Sequence, residues 1–205
     1  MTGCRIDDLL LRACAKGPTL LLCVVQMAEF MGELLHRLRE LPLLSVTAID
    51  GYAIGGGAEL ATATDFRVFA AGARMAFVHA RMGISPGWGG GARLVDLVGR
   101  AHALRLLALG TKVDADGAMA LGLCDAVSDE GESAAAAAER VLLRPALDHA
   151  SSHDALRAIK TAVSAASAVP RDVRAAEVNA VASVWGIGAN ARAIAGGAPS
   201  TSRPT

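Results

Sequence analysis

Gly51-Tyr52-Ala53-Ile54-Gly55-Gly56-Gly57-Ala58-Glu59-Leu60-Ala61-Thr62-Ala63 is the stretch on which the fold turns. Just before it, Leu43-Leu44-Ser45-Val46-Thr47-Ala48-Ile49 is short, apolar and β-branched, and reads as a buried strand that Asp50-Gly51 turns. Three glycines then lead into a helical run that starts at Ala58. A strand thus passes through a glycine cluster into a helix. Glycine lets a backbone approach a ligand closely and aim its N–H groups outward, and the helix behind adds the positive end of its dipole. Such a corner can stabilise a developing oxyanion, an effect of several kcal/mol. Glu59 lies one helical turn inside, within reach of a proton on whatever sits at the glycines. The same residues also suit a tight strand–helix turn with a surface glutamate. Both readings stand on the residues alone.

Upstream, residues 1–18 are mixed and end at the breaker pair Gly17-Pro18. Residues 20–41 place apolar side chains at helical spacing, with Glu29, Glu33, His36, Arg37 and Arg39 on the polar face, and Pro42 stops that helix. Downstream, residues 65–69 and 75–78 read as strands. A second cluster, Gly87-Trp88-Gly89-Gly90-Gly91, opens a helix over 92–98. Two further helices are predicted over 102–109 and 116–121, the latter ended by Gly122, and a short strand over 125–127. Beyond 130 the chain turns alanine-rich, with helices predicted over 133–143, 154–168 and 173–184. The expected organisation is an α/β core over 1–130, a helical region over 131–195 and a disordered tail over 196–205.

Composition narrows the function. The 205 residues carry 20 Lys+Arg against 20 Asp+Glu, so there is no basic stripe of the kind a nucleic-acid binder needs. Aromatics at 3 % leave little for base stacking. The longest uninterrupted apolar run, 20–25, ends at Gln26, well short of the roughly 20 residues of a membrane span. Cys4, Cys14, Cys23 and Cys124 show no CxxC spacing and read as reduced structural thiols. Asp7 and Asp8 interrupt any signal-peptide pattern, so a cytoplasmic protein is expected. There is no GxxxxGK[ST] and no GxGxxG. His149 and His153 lack the carboxylate of a zinc-protease pattern and read as helix-end residues, and His36 and His102 as structural ones. His79 ends a strand just before the second glycine cluster, a place where it can enter a pocket.

The ordered series Gly51–Glu59, Leu60-Ala61-Thr62-Ala63-Thr64-Asp65-Phe66-Arg67, Phe77, Pro86–Gly91, Arg93-Leu94, Gly99-Arg100 and Ala120-Leu121-Gly122-Leu123-Cys124-Asp125-Ala126-Val127 resembles the crotonase (enoyl-CoA hydratase/isomerase) superfamily over about residues 20–130. Phe77-Val78-His79, Met82-Gly83-Ile84, Pro86, Trp88-Gly89-Gly90, Val184-Trp185-Gly186 and Ala189-Asn190 resemble its ethylmalonyl-CoA decarboxylase branch more narrowly. The resemblance implies an α/β fold, a crotonase-like spiral of ββα units with a helical C-terminal region. It further implies a lyase acting on an acyl-CoA thioester and a homotrimer or hexamer. By position, Gly56 matches an oxyanion-hole glycine and Glu59 the catalytic glutamate, and Cys4 offers the second N–H donor. Gly55, Gly57, His79, Arg81 and Trp88 are the candidate substrate-binding residues. The expected reaction is decarboxylation of ethylmalonyl-CoA or methylmalonyl-CoA, with no metal and no cofactor beyond the CoA of the substrate.

Two departures bear on this expectation. The family's first strands are absent upstream, so the chain reads as N-terminally truncated, with exposed sheet edges. Hydratases carry a second glutamate after the strand that corresponds to 76–78, where this chain has His79-Ala80-Arg81-Met82. Water addition uses paired acid and base work, whereas decarboxylation needs one proton donor. The alternatives that remain are an enoyl-CoA hydratase or isomerase and an inactive, shortened family member.

Overall fold

The computed structural model describes residues 19–149, 153–167 and 170–196. The first amphipathic run forms helix α1 (Thr19–Glu40), which ends before Pro42 as its sequence requires. The glycine-rich corner then builds the first ββα unit: β1 (Val46–Ile49), β2 (Tyr52–Ile54) and α2 (Gly56–Ala61). A second unit repeats the pattern with β3 (Phe66–Phe69), β4 (Arg74–Ala76), a 3₁₀ turn (His79–Met82) and α3 (Gly90–Leu109). The last turn of the spiral is shorter: β5 (Lys112–Asp114), α4 (Ala115–Ala120) and β6 (Ala126–Val127).

Each unit gives one strand to each of two three-stranded sheets, ordered β1-β3-β6 and β2-β4-β5. β1 pairs parallel to β3 with Ile49 opposite Phe69, and β2 parallel to β4 with Ile54 opposite Ala76. β5 closes the second sheet antiparallel to β4. The core lies between these sheets and the helices that cover them, around Ile49, Phe69, Met75, Phe77, Leu94 and Leu123. Among the described residues β1 and β2 are both edge strands, and Tyr52 on β2 is 75 % exposed. The structural repeat has no counterpart that is visible in the sequence, because equivalent strands share only an apolar, parallel-sheet character.

Three elements depart from the sequence expectation. The strands β2 and β5 have three residues each, too few for a period to show. By contrast, the two helices expected over 92–98 and 102–109 both form: they are the halves of α3, separated by a kink at Gly99, which is non-helical at φ +73°. The residues after Trp185-Gly186 form a further helix, Gly188–Gly196.

The described elements of the C-terminal region are helical: α5 (Ala134–Ala138), a π turn (Glu139–Leu143), α6 (Arg144–His149), α7 (His153–Ala166), α8 (Arg171–Val184) and α9 (Gly188–Gly196). Ser133 caps α5 by accepting the Ala136 N–H at 3.1 Å. Helix α8 packs on α1, and α9 packs on the 3₁₀ turn. Among the described residues no helix is long and apolar enough to cross a membrane. Cys4, Cys14 and residues 197–205 of the expected tail lie outside the described residues.

Buried arginines tie the layers together. Arg67, on β3, donates to the carbonyls of Thr64, Asp65 and Leu123 and to the Asp125 carboxylate at 3.1 Å. Its burial pulls the guanidinium below its ordinary value, and the charge of Asp125 opposes that.

Candidate active site

The three glycines between β2 and α2 do different work. Gly55 takes φ +57°, a backbone open chiefly to glycine, and its N–H is spent on the Ala76 carbonyl at 2.9 Å. The first intrahelical bond of α2 runs from the Glu59 N–H to the Gly55 carbonyl at 3.0 Å. The N–H groups of Gly56 and Gly57 therefore precede the helical ladder, the position from which a backbone donor can serve an outside acceptor. A Cβ on Gly56 would stand 2.6 Å from two ring carbons of Trp88, so the indole packs directly on this glycine. Gly57 has open space at the same place.

Glu59 points into the protein and is only 2 % exposed. Its Oε2 accepts the backbone N–H groups of Trp88 at 2.9 Å and Gly90 at 3.1 Å. Its Oε1 lies 2.9 Å from Nε2 of His79. A Cβ on Gly90 would come within 2.5 Å of Glu59 Cγ. The second glycine cluster thus serves as a cradle for a carboxylate at the head of α3, where the helix dipole favours negative charge. The two clusters that the sequence shows separately are one site.

Two residues that the sequence reading did not single out complete this cluster. Arg93, buried on α3, donates from Nε to Thr62 Oγ1 at 3.0 Å and from Nη2 to the Glu59 carbonyl at 3.1 Å. Burial lowers it to about 10, with the charges of Glu59 and Glu177 opposing. Glu177, on α8, accepts the Ala92 N–H at 2.6 Å and packs on Gly91. Burial pushes its carboxyl up; the Ala92 N–H opposes, and the nearby Glu59 charge adds to the rise. Arg93-Leu94 lies in the stretch that resembles the family, which was a signal that its role is specific. Glu177 has no local signal, because only the docking of α8 brings it to α3.

The remaining candidates occupy separate places. His79 is buried against Glu59, and Trp88 touches both Gly56 and, through its N–H, Glu59. Arg81 is exposed and turns to the other end of α3, where its Nη2 lies 3.5 Å from the Leu109 carbonyl. Cys4 falls outside the described residues. The late Trp185–Asn190 segment supports the site from behind. Asn190 accepts the Gly186 N–H at 2.6 Å and donates to the Met82 carbonyl at 2.9 Å. It thereby fastens α9 to the turn that carries His79.

A spiral of ββα units, with a glycine-rich strand–helix corner and a buried glutamate one turn on, defines a crotonase-type fold. The family model for enoyl-CoA hydratase/isomerase matches residues 25–184, and the chain belongs to that family. It is 40 % identical over 174 residues to an ethylmalonyl-CoA decarboxylase of Xenopus laevis, covering 84 % of this chain and 58 % of that protein. A decarboxylase of the same name from Danio rerio is 41 % identical over 174 residues, covering 83 % and 57 %. The chain thus spans somewhat over half the length of these relatives. An enoyl-CoA hydratase structure from Bacillus halodurans superposes with a TM-score of 0.76 at 22 % identity, over 94 % of this chain and 74 % of that one, and it shows the fold.

Proposed function

We propose that this chain carries the active site of a decarboxylase acting on a short-branched malonyl-CoA thioester, ethylmalonyl-CoA or methylmalonyl-CoA. One observation carries the reading: a buried carboxylate, Glu59, held by two backbone N–H groups and 2.9 Å from His79, stands one helical turn from the N–H of Gly56, which precedes the helical ladder. The similarity to proteins named ethylmalonyl-CoA decarboxylase supports the choice of reaction.

The chemistry needs little else. The substrate carboxylate leaves as carbon dioxide, and the electron pair of the broken C–C bond enters the thioester carbonyl. The enolate oxygen takes a hydrogen bond from the Gly56 N–H, with the Cys4 N–H as the second donor. Glu59 then delivers one proton to the α-carbon, giving the saturated acyl-CoA. These atoms and electrons balance without a metal or redox partner. Gly55 and Gly57 shape the corner and Trp88 walls the acyl site beside Gly56, whereas Arg81, expected to bind substrate, lies at the far end of α3 and takes no part. The protein acts as a homotrimer or hexamer in the cytoplasm.

Purified protein incubated with ethylmalonyl-CoA is expected to yield butyryl-CoA, followed by mass spectrometry. Glu59→Gln keeps the shape and removes the acid, and is expected to lower kcat about 100-fold or more. Equal turnover in that variant would remove Glu59 from the mechanism. A second reading, hydration of an enoyl-CoA, has one observation in its favour: Glu177 brings a second buried carboxyl to the same helix head. Hydration of crotonyl-CoA faster than decarboxylation of ethylmalonyl-CoA decides for it.

A further inference from the structure

His79 is the partner of Glu59 to which the decarboxylation chemistry gives no separate task; a role for it rests on the reading of Glu59 as the proton donor. Oε2 of Glu59 accepts two N–H groups, from Trp88 and Gly90, so both of its lone-pair directions are filled. A proton carried by this carboxyl therefore sits on Oε1. His79 Nε2, at 2.9 Å, occupies one of the two positions at Oε1 and leaves the other open.

The state of the ring is set by its surroundings. His79 is 5 % exposed, and its Nδ1 has no hydrogen-bond partner among the described residues. An imidazolium would place a charged N–H at Nδ1 with nothing to accept it, which is the costliest arrangement. The Nδ1–H tautomer would leave a neutral N–H orphaned there and turn Nε2 into an acceptor that captures the Glu59 proton. The Nε2–H tautomer leaves only a bare lone pair at Nδ1, and an unpaired buried acceptor is better tolerated than an unpaired N–H. In that tautomer Nε2–H donates to Oε1 whether Glu59 is ionised or protonated. The neighbouring charged groups act elsewhere: Arg93 on the Glu59 carbonyl and Glu177 on the Ala92 N–H.

We propose that His79 is a positioning residue, held as the neutral Nε2–H tautomer, whose N–H fixes Oε1 of Glu59 so that the carboxyl proton takes the one open position, facing the acyl thioester. The imidazole shares no proton with the substrate and holds the acid in its delivering orientation. This device is absent wherever a side chain without an N–H donor stands at this place.

Two measurements test it. In ¹⁵N-histidine-labelled protein, the His79 signals, identified by their loss in His79→Gln, are expected to show an unprotonated Nδ1 and a protonated Nε2. A protonated Nδ1 overturns the proposal. This readout needs no turnover, so a chain that fails to decarboxylate ethylmalonyl-CoA overturns the functional reading and leaves the tautomer to be judged separately. In the kinetic arm, His79→Gln supplies an amide N–H to Oε1 and is expected to keep kcat within about 3-fold. His79→Phe supplies none and is expected to lower kcat about 10- to 100-fold with KM within about 3-fold. Wild-type kcat in His79→Phe, or a loss confined to KM, overturns the positioning role. Should His79→Phe fail to fold, the wild-type tautomer still decides.

Discussion

Glu59 and Gly90 show how little freedom the site has. The carboxylate lies over Gly90 so closely that a Cβ there would stand 2.6 Å from Oε2 and 2.5 Å from Cγ. Both are buried, so neither can yield cheaply. Gly90→Ala is therefore expected to lose about 1–3 kcal/mol of stability in urea denaturation, from overpacking, and to lose turnover with it. Gly57→Ala, at the other glycine corner but facing open space, is expected to be neutral or to stabilise by about 0.4–1 kcal/mol. Equal losses in both variants would show that the glycines matter for backbone freedom alone. Glu59 itself was legible from its spacing after Gly55-Gly56-Gly57. Its burial and its three hydrogen bonds were not, because the partners are Trp88, Gly90 and His79, residues that lie on another unit of the spiral.

Helices α3 and α8 meet at the site as elements, and their junction sets a pH dependence. Burial raises the Glu177 carboxyl above its ordinary 4.5 in the folded chain. Between the unfolded value and that higher folded value, the folded state binds more protons than the unfolded one. Stability therefore falls as pH rises through this window and stays reduced above it. Glu177→Gln retains an acceptor for the Ala92 N–H and removes the ionisation. Its stability relative to the wild type is expected to improve from about pH 4 to about pH 8 in paired urea titrations; a constant difference across that range would mean that Glu177 titrates alike in both states. Element boundaries were partly legible. Pro42 and Gly122 ended their helices, and the helix expected from 133 starts at the Ser133 cap of α5. The break expected between residues 98 and 102 falls at Gly99, whose φ of +73° kinks α3 into two helical halves as a glycine can.

Across the whole molecule, exposed apolar side chains lie on strand β2 and on several helices. On α1, Phe30 and Leu34 are four residues apart and share one helix face, and Phe30 is 67 % exposed. A homotrimer or hexamer that covers this face is expected to show about three or six times the protomer mass in light scattering, and Phe30→Asp is expected to shift it toward the protomer. An unchanged mass in that variant places the contact elsewhere. The sequence by itself determined the alternation of strand and helix, the two glycine corners and the glutamate after the first, because these depend on local periodicity, chain reversal and short spacing. It determined the helical character beyond residue 130 for the same reason. The tertiary structure decided that the two corners are one site, that His79 serves Glu59, and that Arg93 and Glu177 belong beside them. Those facts depend on stacking one ββα unit on the next and docking α8 and α9 against them, and contacts between distant segments leave no period in a single chain.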